Sequence, residues 1–211
     1  MKKEKIILVL NGKIPKKSEL NQFINKNDLV VCADGAANEL IDANIIPNII
    51  IGDLDSISEK VKKNKLIKII KRSNQNLNDF QKALIWMENE KHSNIDIIGF
   101  DGKRIDHTIG NFSIALKEIS NFNLTIHTES GIFHTVKKYK KFNGILSRYI
   151  SIFSSDEKIK ITTTGLQYEL KNETLKKNHS GTLNFANSDI VELKTKQEIL
   201  VFVSNKLKKI I

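Results

Sequence analysis

The chain has 211 residues, of which 40% are hydrophobic and 27% charged, and its 34 basic against 24 acidic side chains give a formal charge of +10. That length and composition suit a globular chain with a sizeable core, in one large domain or two small ones, and exclude a disordered or fibrous protein. The single cysteine, Cys32, excludes an internal disulfide, and the absence of a long apolar run excludes a membrane-spanning helix.

The first ten residues carry lysines followed by Ile6-Ile7-Leu8-Val9-Leu10. This run is too short for a signal-peptide core, and the expected location is the cytoplasm. It reads as a first strand, Lys5–Leu10. Further short, mostly apolar runs follow at Leu29–Ala33, Ile49–Ile51, Ile67–Ile70, Ile95–Ile98 and Leu124–His127. Runs without alternation suit strands buried on both faces of a parallel sheet. Helix-like stretches separate them: Ser18–Asn25, Ala36–Ala43, Ser56–Lys63, Asn78–Glu90 and His107–Ile119, with Ser18 and Ser56 as candidate caps. The alternation predicts a doubly wound α/β domain, with a mainly parallel sheet and helices on both faces. Cys32 and Trp86 are expected in its core.

After about residue 130 the pattern changes. Short strand-like segments appear at Tyr149–Phe153, Lys158–Thr163, Leu166–Leu170, Thr182–Phe185, Ile190–Leu193 and Ile199–Val203, punctuated by Gly165, Gly181 and Asn187-Ser188-Asp189. This predicts a smaller all-β second domain, a sandwich or a partial barrel. The expected division is residues 1–132 and 133–211. The lysines are scattered, and no recognition helix, zinc finger or RNA-binding aromatic motif accompanies them, so neither nucleic acid nor a membrane is an expected partner.

Open α/β sheets bind ligands at the carboxyl ends of their strands. Strand two runs into Asp34-Gly35, strand three into Gly52-Asp53-Leu54-Asp55-Ser56, strand four into a polar loop and Asp79, and strand five into Gly99-Phe100-Asp101-Gly102-Lys103-Arg104-Ile105-Asp106-His107. Singly, each is a common turn or helix cap. Together, carboxylates on one rim of a sheet repel one another unless a cation compensates them. Hard oxygen ligands suit Mg²⁺ alongside phosphate oxygens. In an extended stretch Asp53 and Asp55 face the same side. Arg104 is the natural phosphate partner. No Walker A, kinase or Rossmann glycine fingerprint is present.

At these residues the sequence resembles the thiamine pyrophosphokinase family. The matching segments, in order, are Ala33–Asn38, Ile51–Ile57, Asn78–Leu84, Gly102–Asn111, Arg148–Ser151 and Thr163–Tyr168. The resemblance implies a transfer of the pyrophosphoryl group of ATP to the hydroxyl of thiamine, with Mg²⁺ as cofactor. It implies a catalytic ATP- and Mg²⁺-binding α/β domain, a thiamine-binding β domain and a homodimer with active sites between subunits. By motif position, Asp53, Asp55 and Asp79 would hold Mg²⁺, with Arg104 and Asp106 also catalytic. Asp34, Gly35, Gln75, Arg104, His107 and Asn111 would line the ATP site, and Thr182 and Asn184 would meet thiamine. The chain departs from the family pattern at Lys103, where a Gly is usual, and at Leu183, where many relatives carry Ser. Other acceptors, such as a hydroxymethyl pterin, or a non-catalytic nucleotide-binding module are the alternative readings.

Overall fold

The apolar runs at Ile6–Leu10, Leu29–Ala33 and Ile49–Ile51 become strands in the middle of a sheet, where both faces are covered, whereas Lys68–Lys71 forms its half-exposed edge. A computed structural model describes residues 5–176 and 178–207, and the chain folds as two compact units, Met1–Phe112 and Ser113–Ile211. In the first unit the elements are β1 (Ile6–Val9), α1 (Lys17–Phe23), β2 (Leu29–Ala33), α2 (Ala36–Asp42), β3 (Ile49–Gly52), α3 (Glu59–Lys62), β4 (Lys68–Lys71), α4 (Asp79–Asn89) and β5 (Asn94–Ile98), and α5 (Ile105–Glu118) begins there. The strands pair in parallel in the order β5-β1-β2-β3-β4.

Alternate residues of each strand serve opposite faces. Ile7, Val9, Cys32 and Ile50 join Leu20 of α1, Leu40 of α2 and Val61 of α3 in one core cluster. Leu8, Val31, Ile49 and Ile51 are buried on the other face, where α4 packs against β2 and β3. Phe80, Ala83, Leu84 and Met87 of α4 are all buried, and their spacing is that of one helical face. Trp86 is buried beside them, and so is Cys32, whose thiol pKa is raised by burial.

The chain builds the sheet outward from β1 to β4, and α4 then carries it back to the far side of β1. The strand order therefore reverses between β1 and β5. Connections leave these two strand ends in opposite directions, which opens a crevice at their carboxyl ends.

In the second unit the strands are β6 (Asn123–His127), β7 (Gly131–Val136), β8 (Tyr139–Asn143), β9 (Arg148–Ser154), β10 (Lys160–Thr164), β11 (Lys171–Thr174), β12 (Asn184–Phe185), β13 (Ile190–Thr195) and β14 (Ile199–Leu207), with a 3₁₀ turn at Asn178–Gly181. They form two antiparallel layers, β12-β9-β14-β7-β6 and β11-β10-β13-β8. Ile150, Ile152 and Val201 from one layer meet Ile161, Val191 and Leu193 from the other in a single core cluster, the packing of a sandwich. No helix among the described residues is long and apolar enough to cross a membrane.

Several local expectations change. The first helix starts after Lys16, whose backbone N–H donates to Glu19, so Ser18 lies inside it rather than capping it. The third helix shrinks to α3, with Ser58 at its cap position. The Asn38 amide of α2 clamps this loop, donating to the Ser56 carbonyl at 2.8 Å and accepting from the Ser58 N–H at 2.9 Å. The predicted strand Leu166–Leu170 is replaced by a turn. Gly165 has φ +84, Leu166 makes only an isolated bridge to Ala186, and pairing resumes at Lys171. The sequence reading also passed over β7 and β8, which pair with β14 and β13 in different layers.

Candidate functional site

A cleft of about 440 Å³ opens where the strand order reverses. Asn11 and Gly12 after β1, Asp53 after β3, Gln75 and Asp79 around the start of α4, Phe100, Lys103 and Arg104 after β5, and His107 and Asn111 on α5 line it. Backbone proximity shapes the floor. The Gly12 N–H donates to the Gly99 carbonyl at 2.7 Å, and a Cβ on Gly12 would stand 2.3 Å from that same oxygen. Only glycine lets the loops after β1 and β5 touch in this way.

Three acids converge beside the cleft. One carboxylate oxygen from each of Asp34, Asp53 and Asp55 lies within 4.8 Å of the others. Asp34 follows β2, and its N–H stays in register with the Ile51 carbonyl at 2.9 Å. Its side chain lies over Gly52, where a Cβ would come within 2.7 Å of the Asp34 Cβ. Asp53 and Asp55 do not reach the same point by extended alternation, as the sequence suggested. Leu54 between them adopts φ +72, a left-handed kink that turns both acids toward Asp34 while Leu54 packs on the core. A left-handed leucine is unfavourable by about 1 to 2 kcal/mol, and Leu54 is only partly buried against the core. Ser56 donates its hydroxyl to Asp55 at 2.8 Å.

Asp34 is only 4% exposed, and its Oδ1 has no hydrogen-bond partner. A buried carboxylate oxygen without a donor needs a proton or a cation. Burial first, then the charges of Asp79, Asp53 and Asp55, push the Asp34 pKa up to about 6. Burial would also raise Asp53, but the Lys82 charge and a hydrogen bond from Gln75 outweigh it and hold Asp53 below the ordinary carboxylate value. The two acids are thus driven apart in protonation.

Lys82, one turn into α4, is the cation that does this. Its ammonium lies 2.9 Å from Asp79 Oδ1 and 3.6 Å from Asp53 Oδ2, and the side chain is 4% exposed. Burial would lower its pKa, but the hydrogen bond and charge of Asp79 and the charge of Asp53 raise it on balance. Asp79 itself is the first residue of α4, after the Asn78 cap, whose side chain accepts from the Gln81 N–H. Asp79 thus acts on the acid trio both directly, through its charge on Asp34, and through Lys82.

Across the cleft, Arg104 forks onto Asp106, Nε to Oδ1 at 3.1 Å and Nη2 to Oδ2 at 2.5 Å. The hydrogen bond to its partner holds Arg104 above and Asp106 below their usual values. His107 is exposed on α5, and Asn111 donates to the Phe100 carbonyl at 3.1 Å. Gln75 donates to Asp53 at 3.4 Å. Gly35 lies beside Asn11 and Ser56. Lys103 bridges Glu39 at 2.5 Å and Asn11 at 3.0 Å. Thr182 and Asn184 belong to the second unit. Thr182 is half-buried, while the Asn184 amide is engaged by the backbone, accepting from Tyr168 at 3.1 Å and donating to the Tyr168 carbonyl at 2.7 Å.

Sequence reasoning missed Lys82, Asn11, Gly12 and the Lys103–Glu39 pair. Lys82 carried a legible signal, an acid three residues earlier on the same helical face. Asn11 and Gly12 directly follow the first strand, at the same kind of strand end that revealed the acids. Nothing local pairs Lys103 with Glu39.

The raised Asp34 pKa gives stability a pH dependence. The folded state holds this proton more tightly than the unfolded chain does. The contribution is full below about pH 4 and is lost as pH rises through about 6. It amounts to roughly 3 kcal/mol at about 1.4 kcal/mol per pKa unit. Urea denaturation of the metal-free protein at pH 4, 5, 6 and 7 should show this decline, and the Asp34→Asn variant should lack it. Parallel curves for the two proteins would defeat the assignment.

The sequence model of the thiamin pyrophosphokinase catalytic domain matches residues 20–127, and that of the thiamin pyrophosphokinase substrate-binding domain matches residues 131–202. The chain is 47% identical over 92 residues to the thiamine pyrophosphokinase of Saccharomyces cerevisiae, a match that spans 37% of this chain and 28% of that protein. It is 27% identical over 162 residues to the thiamine pyrophosphokinase of Bacillus subtilis, covering 73% of this chain and 76% of the relative. The crystal structure of the Bacillus subtilis protein superposes with a TM-score of 0.78 over 95% of this chain and 98% of its own, at 24% identity, which speaks to the fold.

Proposed function

The chain belongs to the thiamin pyrophosphokinase family, and from that premise we propose that it transfers the pyrophosphoryl group of ATP to the hydroxyl of thiamine, releasing AMP. The observation that carries this reading is the cleft at the β1/β5 reversal, where converging acids, a buried lysine and an exposed arginine surround space for a nucleotide tail.

In the reaction the thiamine hydroxyl oxygen bonds to the β-phosphorus of ATP. The bridge from that phosphorus to the α-phosphate oxygen breaks, the hydroxyl proton is lost, and AMP leaves. The donor set fits Mg²⁺, since it offers carboxylate oxygens only and one of them, Asp34 Oδ1, is buried without a donor. Asp53, Asp55 and Asp34 would hold the ion, with Asp79 beside them. When bound, Mg²⁺ supplies charge compensation to the phosphate oxygens. Arg104 stands at the mouth of the cleft with an exposed guanidinium, placed to neutralise charge on the transferred group, and Asp106 orients it. Gln75, His107 and Asn111 line the nucleotide space, with Gly35 near its edge. Catalysis of this kind rests on positioning and electrostatics.

Residues 1–132 would supply this chemistry and residues 133–211 the thiamine contact. Thr182 and Asn184 would meet thiamine there, Asn184 being held in place by the Tyr168 backbone. A homodimer fits the large apolar side chains left exposed, Ile105 and Ile109 on α5 and Leu183 and Tyr168 in the second unit. A cytoplasmic setting fits the demand for ATP. Incubation with ATP, Mg²⁺ and thiamine should yield AMP and thiamine diphosphate in equal amounts. Release of ADP, or AMP formation independent of thiamine, would overturn the proposal.

A further inference from the structure

Resting on the metal site proposed above, we infer that Lys82 is a built-in counter-cation which holds the acid cluster together without metal and weakens the grip of the cluster on a divalent ion. Lys82 is a positioning residue in this account: it acts through the acids, its ammonium held by Asp79 and Asp53.

The geometry carries the argument. The ammonium contacts Asp79 at 2.9 Å and Asp53 at 3.6 Å, and Asp53 is a member of the trio with Asp34 and Asp55. A lysine that is 4% exposed is not a mobile surface charge. Buried lysines are rare unless paired, and this one is paired with two acids that would otherwise repel each other. With Lys82 in place, Asp53 and Asp79 are held close together before any ion arrives. The same charge, beside the trio, opposes a second cation entering it. The cluster is therefore preassembled and only weakly binding, and phosphate oxygens must complete the coordination. Firm metal retention becomes conditional on a bound nucleotide.

The exposed pairs lack this property. Arg104 and Asp106 neutralise each other at the rim, with side chains 71% and 59% exposed, so solvent screens them from the trio. Lys103 is held by Glu39 and Asn11 away from the trio. Among the described residues, Lys82 is the cation that contacts it, through Asp53.

The test uses Mn²⁺ alone as probe, with Lys82→Met, which keeps the stem length and removes the charge, and Lys82→Arg, which keeps the charge. Calorimetric titration should show Mn²⁺ bound about tenfold more tightly by Lys82→Met than by wild type, while Lys82→Arg stays near wild type. Without metal, Lys82→Met should melt below wild type, and saturating Mn²⁺ should close most of that gap. A variant that is unfolded without metal and recovers its fold on adding Mn²⁺ also supports the inference. A purely structural lysine would lower the melting temperature of Lys82→Met without tightening Mn²⁺ binding. Unchanged or weaker affinity in folded Lys82→Met, or a gap that Mn²⁺ leaves open, would therefore overturn it. If wild type and Lys82→Met both fail to bind Mn²⁺, the metal site of the proposed function falls as well. Binding by wild type that Lys82→Met merely reproduces overturns the role of Lys82 alone.

Discussion

Replacing Asp53 by Asn should lower kcat/KM for pyrophosphoryl transfer by roughly 10²- to 10³-fold, or about 3 to 4 kcal/mol of transition-state stabilisation. Asp53 is the side chain shared by both halves of the charge arrangement. It belongs to the trio with Asp34 and Asp55, and it is the second partner of Lys82. Asn keeps the shape and can still accept the hydrogen bond that Gln75 donates. It removes one negative charge, and with it part of the field that would hold Mg²⁺ against the phosphates. The fold should survive, because Lys82 keeps Asp79 at 2.9 Å and the acids lose one source of repulsion. The pressure on Asp34 should also ease, so its pKa should fall toward the ordinary carboxylate value. Steady-state kinetics at saturating Mg²⁺, alongside urea denaturation, separates these effects. Near-normal turnover by the Asp53→Asn variant would defeat the assignment of the cluster.

Truncating Phe80 to Ala should destabilise the protein by about 3 to 5 kcal/mol. Phe80 is 2% exposed and sits in the first turn of α4, directly after Asp79. Its ring meets Phe100 edge-on, with centroids 6.2 Å apart at 85°, a contact worth about another kcal/mol beyond the buried area. The void left behind lies beneath the cleft, under both the α4 residues that carry Asp79 and Lys82 and the loop that carries Phe100. The loss should therefore appear twice, as a lower urea midpoint and as a raised KM for ATP. An Ile105→Ala change is the contrast, since Ile105 is 73% exposed and its truncation should move monomer stability by no more than about 0.5 kcal/mol. A Phe80→Ala variant with an unchanged midpoint would show that the cleft floor can collapse around the missing ring.

The α/β half was legible because its signals are local. Ile6–Leu10 and Leu29–Ala33 are unbroken apolar runs, and the strands they predict form within a residue or two at each end. The β half was less legible. Tyr139–Asn143 buries only Phe142, so its lysines masked it. Leu166–Leu170 has the apolar content of a strand, but Gly165 turns the chain where a Cβ would strike the Ile190 carbonyl at 2.3 Å. That contact comes from a segment some twenty-five residues away, and no local pattern announces it. Leu183 shows the same limit, with φ +65 and 86% exposure in a stretch read as strand.

In the site, the sequence by itself determined which residues stand at the strand ends. An apolar run followed by Asp and Gly places an acid on the rim of a parallel sheet whatever the rest of the chain does, and that sufficed to suggest a metal and a nucleotide. Only the tertiary structure decided which of those acids converge. Asp34, Asp53 and Asp55 converge because parallel pairing sets β2 beside β3, because Gly52 leaves room for the Asp34 side chain, and because Leu54 kinks the loop. Lys82 reaches Asp53 because α4 packs across β2 and β3. Charge interactions depend on distance through space and on burial, and both follow from register and helix packing rather than from neighbours along the chain.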